Sequence, residues 1–253
     1  MVVPSGSPEP MPSGRMLGKY RLLRKLGAGG MGVVFLAQDT VLDRQVALKT
    51  LSGRISTHKA FVNRFLREAR AAARLSHPNV VPIFDVLPHE QTAFLVMEYL
   101  PGGSVQDRLL RHGALPWLEA VSLVTQAGRG LQAAHEAGLV HCDVKPANLL
   151  VGRNGDIKVA DFGLVKVLDP EQSPLNTPAQ VLGTPHFMSP EQCRGESIDP
   201  RSDVYSLAAT LYTLVTGTVP FSADNTYARA VRPLLGRTSG PSAPTPARST
   251  SRW

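Results

Sequence analysis

The sequence predicts an α+β protein of two lobes, a β-rich N-terminal lobe with one helix and a mostly helical C-terminal lobe. Three observations carry this. Between Tyr20 and Leu100, apolar stretches of strand length alternate with glycine or polar turns. One stretch in that region, residues 61–75, instead repeats its apolar residues at helical spacing. After "PGGS" at 101–104, long apolar segments with helix start and stop signals take over.

Residues 1–16 are rich in Pro, Ser and Gly, and the sequence predicts a disordered segment there. They hold no apolar run behind a basic start, so they do not read as a secretory signal. "YRLLRKLGAGGMGVVFLAQDT" (20–40) reads as strand, glycine turn, strand, and "RQVALKTL" (44–51) as a further strand. In residues 60–75, Phe61, Phe65, Leu66, Ala69 and Ala73 share one helical face. Residues 80–100 read as two strands around a polar turn. "PWLEAVSLVTQAGRGLQAAHEAG" (116–138) opens with Pro in the first turn and stops at Gly138. "DVYSLAATLYTLVTG" (203–217) is apolar nearly all round, which predicts a helix buried on every side. From Gly236 the text is low in complexity. The resulting division is 17–98 for the first lobe, 99–222 for the second and 223–253 for a basic tail.

The 253 residues, 43% hydrophobic and 19% charged, suit a globular chain. No apolar run approaches the roughly 20 residues of a membrane helix, so no membrane segment is expected. Two cysteines, Cys142 and Cys193, make no disulfide framework and suit a reducing, cytoplasmic setting. The net charge of +7 sits at the ends. Residues 1–25 carry five Lys/Arg against one Glu, and residues 225–253 carry five Arg and no acid. A near-neutral middle lacks the basic face that nucleic acid needs, so no nucleic-acid partner is expected.

"LGAGGMGVV" places Gly27, Gly29 and Gly32 in a G-x-G-x-x-G-x-V pattern. A dinucleotide fold uses the same glycines between a strand and a helix. Here a second strand follows, so the turn is either a flexible hairpin or a cradle whose amides approach phosphate oxygens. Lys49 lies inside the apolar strand "VALK", where it either snorkels to solvent or meets an anion. Glu68, the only acid in the helix 61–75, is the candidate carboxylate partner. "HCDVKPANLL" then supplies Asp143, Lys145 and Asn148, and "DFG" begins at Asp161. Two carboxylates and an amide on neighbouring loops suit Mg²⁺, an oxygen-seeking cation that shares its ligands with phosphates.

Taken together, from Tyr20 to Phe221, these motifs resemble the eukaryotic-type protein kinases, in wording close to the bacterial serine/threonine kinases. The resemblance implies a two-lobed protein-kinase-like fold. It implies transfer of the ATP γ-phosphate to Ser/Thr hydroxyls of protein substrates, with Mg²⁺ as cofactor and self-phosphorylation as a further outcome. Residue by residue, it implies that Gly27, Gly29 and Gly32 cover the phosphates and that Lys49 contacts them while held by Glu68. Leu26, Val34, Ala47 and Leu150 would border the purine. Met97 would be the gatekeeper, with Glu98 and Leu100 offering backbone groups to adenine. Asp143 would take the substrate's proton, aided by Lys145 and Thr184. Asn148 and Asp161 would hold the metal, and Asp203 would anchor the catalytic loop.

Two departures stand out. Cys142 occupies a position where the resemblance implies an Arg that pairs with a phosphate on the activation segment, so phosphorylation at Ser173 or Thr177 is not expected to activate through it. The second departure follows Phe221, where the resemblance implies further helices, one of which supplies an Arg to Glu191. No motif in 222–253 matches that residue, so the C-terminal lobe reads as truncated and incomplete. Leaving Leu207, Leu211, Leu214 and Val215 half exposed would forfeit about 3–6 kcal/mol. The alternative reading is therefore a kinase-like regulatory or binding module that holds ATP with little or no phosphotransfer.

Overall fold

The computed structural model describes residues 14–29, 32–51, 66, 69–89, 92–162 and 185–221. Six strands form one antiparallel sheet: β1 (Met16–Leu17), β2 (Tyr20–Gly29), β3 (Gly32–Asp39), β4 (Arg44–Leu51), β5 (Ile83–His89) and β6 (Thr92–Glu98). Their order is β1-β2-β3-β4-β6-β5. The short β1 was not legible in the sequence; it pairs Met16 with Arg21 and Leu17 with Tyr20.

Strand alternation sorts β4 onto two faces. Val46 and Leu48 join Leu22, Phe35, Phe94 and Val96 in one apolar layer. Ala47 and Lys49 belong to the other face, where Ala47 packs with Val81, Met97, Leu100 and Ala160. Register places Lys49 between Val34 on β3 and Leu95 on β6. In the helix expected over 61–75, Leu66 and residues 69–72 are described and helical. Ala69 is buried against Ala93 and Leu95 of β6, with Leu66 partly buried beside them.

The second lobe contains α1 (Val105–His112), α2 (Trp117–Glu136), a 3-10 turn Pro146–Asn148, the hairpin β7 (Leu149–Val151) and β8 (Ile157–Val159), a second 3-10 turn Pro185–Phe187, α3 (Pro190–Arg194) and α4 (Pro200–Thr216). Helix α1 starts at a reciprocal cap between Ser104 and Asp107. Pro116 precedes α2 as its cap residue rather than sitting inside the first turn. Helices α2 and α4 run antiparallel: the Leu115 N–H donates to the Leu214 carbonyl at 2.7 Å at one end, and His135 meets Asp203 at the other. Asn79 ties the first lobe's loop to β8, donating from Nδ2 to the Ile157 carbonyl at 2.8 Å and accepting the Val159 N–H at 2.9 Å.

Helix α4 departs from the expectation of burial on every side. Its buried face carries Ser202, Asp203, Ser206, Thr210 and Thr213 beside Ala209 and Leu214. The two threonine hydroxyls are satisfied within the helix, Thr210 donating to the Ser206 carbonyl and Thr213 to the Ala209 carbonyl, each at 2.8 Å, while Ser202 donates to Glu191 outside it. Val204, Tyr212 and Val215 are exposed. The expected half-exposure of four apolar residues is corrected at Leu214. Leu214 is fully buried, Leu207 and Leu211 pack partly on the core, and Val215 is 38% exposed. The antiparallel contact with α2 provides the cover that helix periodicity alone could not show.

Candidate active site

The loop between α2 and β7 is organised by a buried acid from α4. Asp203 is fully buried; its Oδ1 accepts the Cys142 N–H at 2.8 Å, and its Oδ2 accepts the His141 N–H at 2.8 Å. His135 adds a contact to Oδ2 at 2.7 Å. This is the anchoring role expected of Asp203. His141 is buried too. Its Nδ1 accepts the Asp143 N–H at 3.1 Å, which leaves Nε2 to donate to the Ala160 carbonyl at 2.8 Å. Its ring lies 4.8 Å from that of Phe162. The loop is thereby tied to the start of the DFG segment.

Asp143, Lys145 and Asn148 converge as expected. Lys145 Nζ pairs with Asp143 Oδ2 at 2.7 Å. Asn148 Nδ2 donates to the Asp143 carbonyl at 2.8 Å and to Oδ2 at 3.1 Å. Since that amide nitrogen is engaged by Asp143, the oxygen is the atom Asn148 can offer a cation. The 3-10 turn Pro146–Asn148 brings the side chain back over the loop, and the Asn148 carbonyl accepts the Ala160 N–H at 2.9 Å.

Lys49 is buried, and its Nζ pairs with Asp161 Oδ2 at 2.7 Å. Lys49 therefore does not snorkel to solvent. Burial pushes the Asp161 carboxyl up, but the Lys49 charge and hydrogen bond outweigh it and hold the carboxyl below the usual range. The other oxygen, Oδ1, is buried with no hydrogen-bond partner among the described residues. A buried, ionised, unpaired carboxylate oxygen is costly unless a cation meets it. This donor set fits Mg²⁺. Among the described residues no group of three or more His, Cys, Asp or Glu gathers as a metal cage. One carboxylate, one amide and substrate phosphates are what Mg²⁺ commonly uses.

Beside these polar groups lies an apolar cluster drawn from both lobes. Ala47, Val81, Met97, Leu100 and Ala160 are its buried members, and Leu26, Val34, Tyr99 and Leu150 pack against them partly buried. All six of the expected purine-side residues with apolar side chains are there. Val81, Tyr99 and Ala160 were not read from the sequence. Ala160 directly precedes the DFG motif, which was an available signal; Val81 arrives only because its N–H pairs with the Val159 carbonyl at 3.0 Å. The Glu98 side chain also has a role the sequence did not suggest: its Oε2 accepts Lys158 Nζ at 2.8 Å, bracing the connector against β8. The glycine turn is a hairpin, with Gly27 opposite Val34 and Gly29 opposite Gly32. This excludes the strand-to-helix geometry of a dinucleotide loop. Glu68, Gly163, Ser173, Thr177 and Thr184 lie outside the described residues.

Glu191 accepts a hydrogen bond from the Ser202 hydroxyl, which holds its carboxyl below the usual range against the opposing effect of burial. Cys142 is buried, with Sγ 3.5 Å from the Val140 carbonyl, as a packed small side chain rather than an exposed thiol.

Comparison with known proteins agrees with this geometry. The family model described as "Protein kinase domain" matches residues 20–247. The chain is 39% identical over 233 residues to the serine/threonine-protein kinase PknL of Mycobacterium tuberculosis, covering 92% of this chain and 58% of PknL. It is 38% identical over 224 residues to the serine/threonine-protein kinase PrkC of Bacillus subtilis, covering 88% of this chain and 34% of PrkC. The chain thus spans between a third and three fifths of these relatives' lengths. Among solved structures, a mutant kinase domain of M. tuberculosis PknI superposes with a TM-score of 0.69 at 32% identity, covering 84% of this chain and 79% of that one. By motif, fold and match over most of its length, the chain belongs to the protein kinase family, and the curated relatives described here are bacterial serine/threonine kinases.

Proposed function

We propose that the chain transfers the γ-phosphate of ATP to serine and threonine hydroxyls of protein substrates. The observation that supports this best is the convergence of two charged sets beside one apolar cluster. Lys49–Asp161 stands on one side and Asp143–Lys145–Asn148 on the other, linked through His141 and Ala160.

On this reading each group has a task. The cluster of Ala47, Met97, Leu100 and Leu150 takes the purine, and Glu98 and Leu100 offer it backbone groups. Gly27, Gly29 and Gly32 let the β2–β3 turn approach the phosphates. Lys49 neutralises phosphate oxygens and fixes their position. Among the described residues, the contacts of Asp143 with Lys145 and Asn148 both go to Oδ2, which leaves Oδ1 to accept the substrate hydroxyl's proton. Lys145 places its ammonium beside the attacking oxygen and stabilises the charge that grows on the transferred group. Asp161, through the oxygen that has no partner among the described residues, and Asn148 would hold Mg²⁺, which when bound would offset negative charge on the phosphates and the leaving diphosphate. Glu68 and Thr184 complete this reading as partners of Lys49 and of the loop. Protein hydroxyls, including the chain's own, are the acceptors. The thiols of Cys142 and Cys193 suit the reducing, ATP-rich cytoplasm.

The test is incubation of purified protein with labelled Mg-ATP and a basic protein acceptor, beside an Asp143→Asn variant. Label should pass to the acceptor and drop by roughly 10²–10⁴-fold in the variant. Folded protein that binds ATP and transfers no label would overturn the reading.

A further inference from the structure

The peptide unit joining Cys142 to Asp143 is gripped at both ends. Its N–H, on Asp143, donates to His141 Nδ1 at 3.1 Å. Its C=O, on Cys142, accepts Gln192 Nε2 at 2.7 Å. Rotation of this plane swings the Asp143 side chain, and it is coupled to a strained residue. Cys142 has a φ of +67°, left-handed backbone that costs a non-glycine residue about 1–3 kcal/mol and persists only where its surroundings hold it. Asp203 holds the Cys142 N–H. Gln192 holds the carbonyl from a different element, α3.

Helix α3 is itself fixed to α4. Ser202 donates to Glu191, and Ser206 Oγ lies 2.7 Å from the Phe187 carbonyl. So α4 supports both the catalytic loop and residues 185–195, and Gln192 closes the third side of that triangle. The amide of Gln192 has two ends with two tasks. Oε1 accepts the Ser189 N–H at 2.9 Å, half of the cap that starts α3. Nε2 reaches across to Cys142.

We infer that Gln192 is a positioning residue for Asp143, setting the orientation of the 142–143 peptide and coupling the base to the segment that ends at α3. The inference rests on Asp143 acting as the base. A carboxamide is needed here because one end must accept and the other must donate. A Glu at this position keeps the cap, since a capping box accepts either side chain, but at neutral pH it places a carboxylate against the Cys142 carbonyl.

The test compares kcat, KM for ATP and thermal midpoint for the full chain and for Gln192→Glu, Gln192→Met, Ser189→Ala and Asp143→Asn. Gln192→Glu should keep its thermal midpoint and KM while kcat at pH 8 falls about ten-fold, the equivalent of one lost hydrogen bond. Its deficit relative to the parent should shrink toward pH 5.5, because a carboxyl facing a carbonyl titrates above the ordinary Glu value of about 4.3 and, once protonated, donates as the amide did. Ser189→Ala weakens the cap and should leave kcat unchanged. A Gln192→Glu kcat equal to the parent's at pH 8, or a deficit independent of pH and matched by Ser189→Ala, overturns the inference. Should Gln192→Glu not fold, Gln192→Met decides: lowered kcat at unchanged KM supports the role, and unchanged kcat removes it. An active Asp143→Asn overturns the base assignment itself, a result distinct from any Gln192 outcome.

Discussion

Asp203, buried on α4, holds Cys142 in left-handed backbone by accepting its N–H at 2.8 Å. The same carboxylate takes the neighbouring N–H of His141. One side chain therefore shapes the turn from which Asp143 projects. Replacing it with Ala leaves both N–H groups buried without an acceptor, at about 1–3 kcal/mol each. Asp203→Ala should lose roughly 2–6 kcal/mol in urea unfolding and most of its phosphotransfer. A variant that keeps the parent's midpoint would show that the loop holds its shape without this anchor.

The Lys49–Asp161 pair sets a pH dependence with a definite sign. The Asp161 carboxyl is held below its usual range, so ionisation favours the folded state. That contribution is present above the unfolded Asp value of about 3.9 and is lost as pH falls through the lower folded value. Carbon-13 titration of the carboxyl should find it still ionised at about pH 4. In Lys49→Met the two largest effects opposing burial are lost and only the weaker charges of His141 and Lys145 remain, so the carboxyl should titrate higher than in the parent. Phosphotransfer should fall with it.

Two glycines of α2 should respond in opposite ways to the same change. A Cβ at Gly130 would overlap the Asn79 carbonyl oxygen, the acceptor for the Val159 N–H. A Cβ at Gly128 would meet only Leu207 Cδ2, at 3.7 Å, an ordinary contact. Gly130→Ala should cost about 1–3 kcal/mol through overpacking. Gly128→Ala should gain up to about 1 kcal/mol from helix propensity. Thermal unfolding of the two variants checks both signs.

Cys142 is buried and offers no cation to a phosphate. Phosphorylation at Ser173 or Thr177 should leave the natural chain's kcat unchanged, whereas Cys142→Arg should make activity depend on it. Kinetics before and after phosphatase treatment distinguish the two. Strong activation of the natural chain by phosphorylation would count against the role given to Cys142.

Much of the site was legible because its chemistry is local in sequence. Asp143, Lys145 and Asn148 lie within one turn of chain, and the distances among them follow from that spacing. The hairpin between Gly27 and Gly32 could be told from a strand-to-helix turn because β-branched and aromatic residues follow it at once. Val81 and Tyr99 were not legible, since their place in the apolar cluster depends on which strands and loops meet, whereas Ala160 could have been read from its position before the DFG motif. The Glu98–Lys158 and Gln192–Cys142 contacts span 60 and 50 residues, and no local pattern records them.

The sequence by itself determined the two-lobed plan, the strands carrying Lys49 and the glycines, and the residue types available for phosphotransfer, because period and spacing are properties of the chain. Only the tertiary structure decided that α4 turns its hydroxyls and Asp203 inward while Val204 and Tyr212 face out, a reversal that hydropathy cannot register. The reason is physical. Apolar periodicity reports the preference for burial, but a buried polar side chain is stable wherever a partner exists, and here those partners are backbone groups of its own helix and of a loop 61 or 62 residues away.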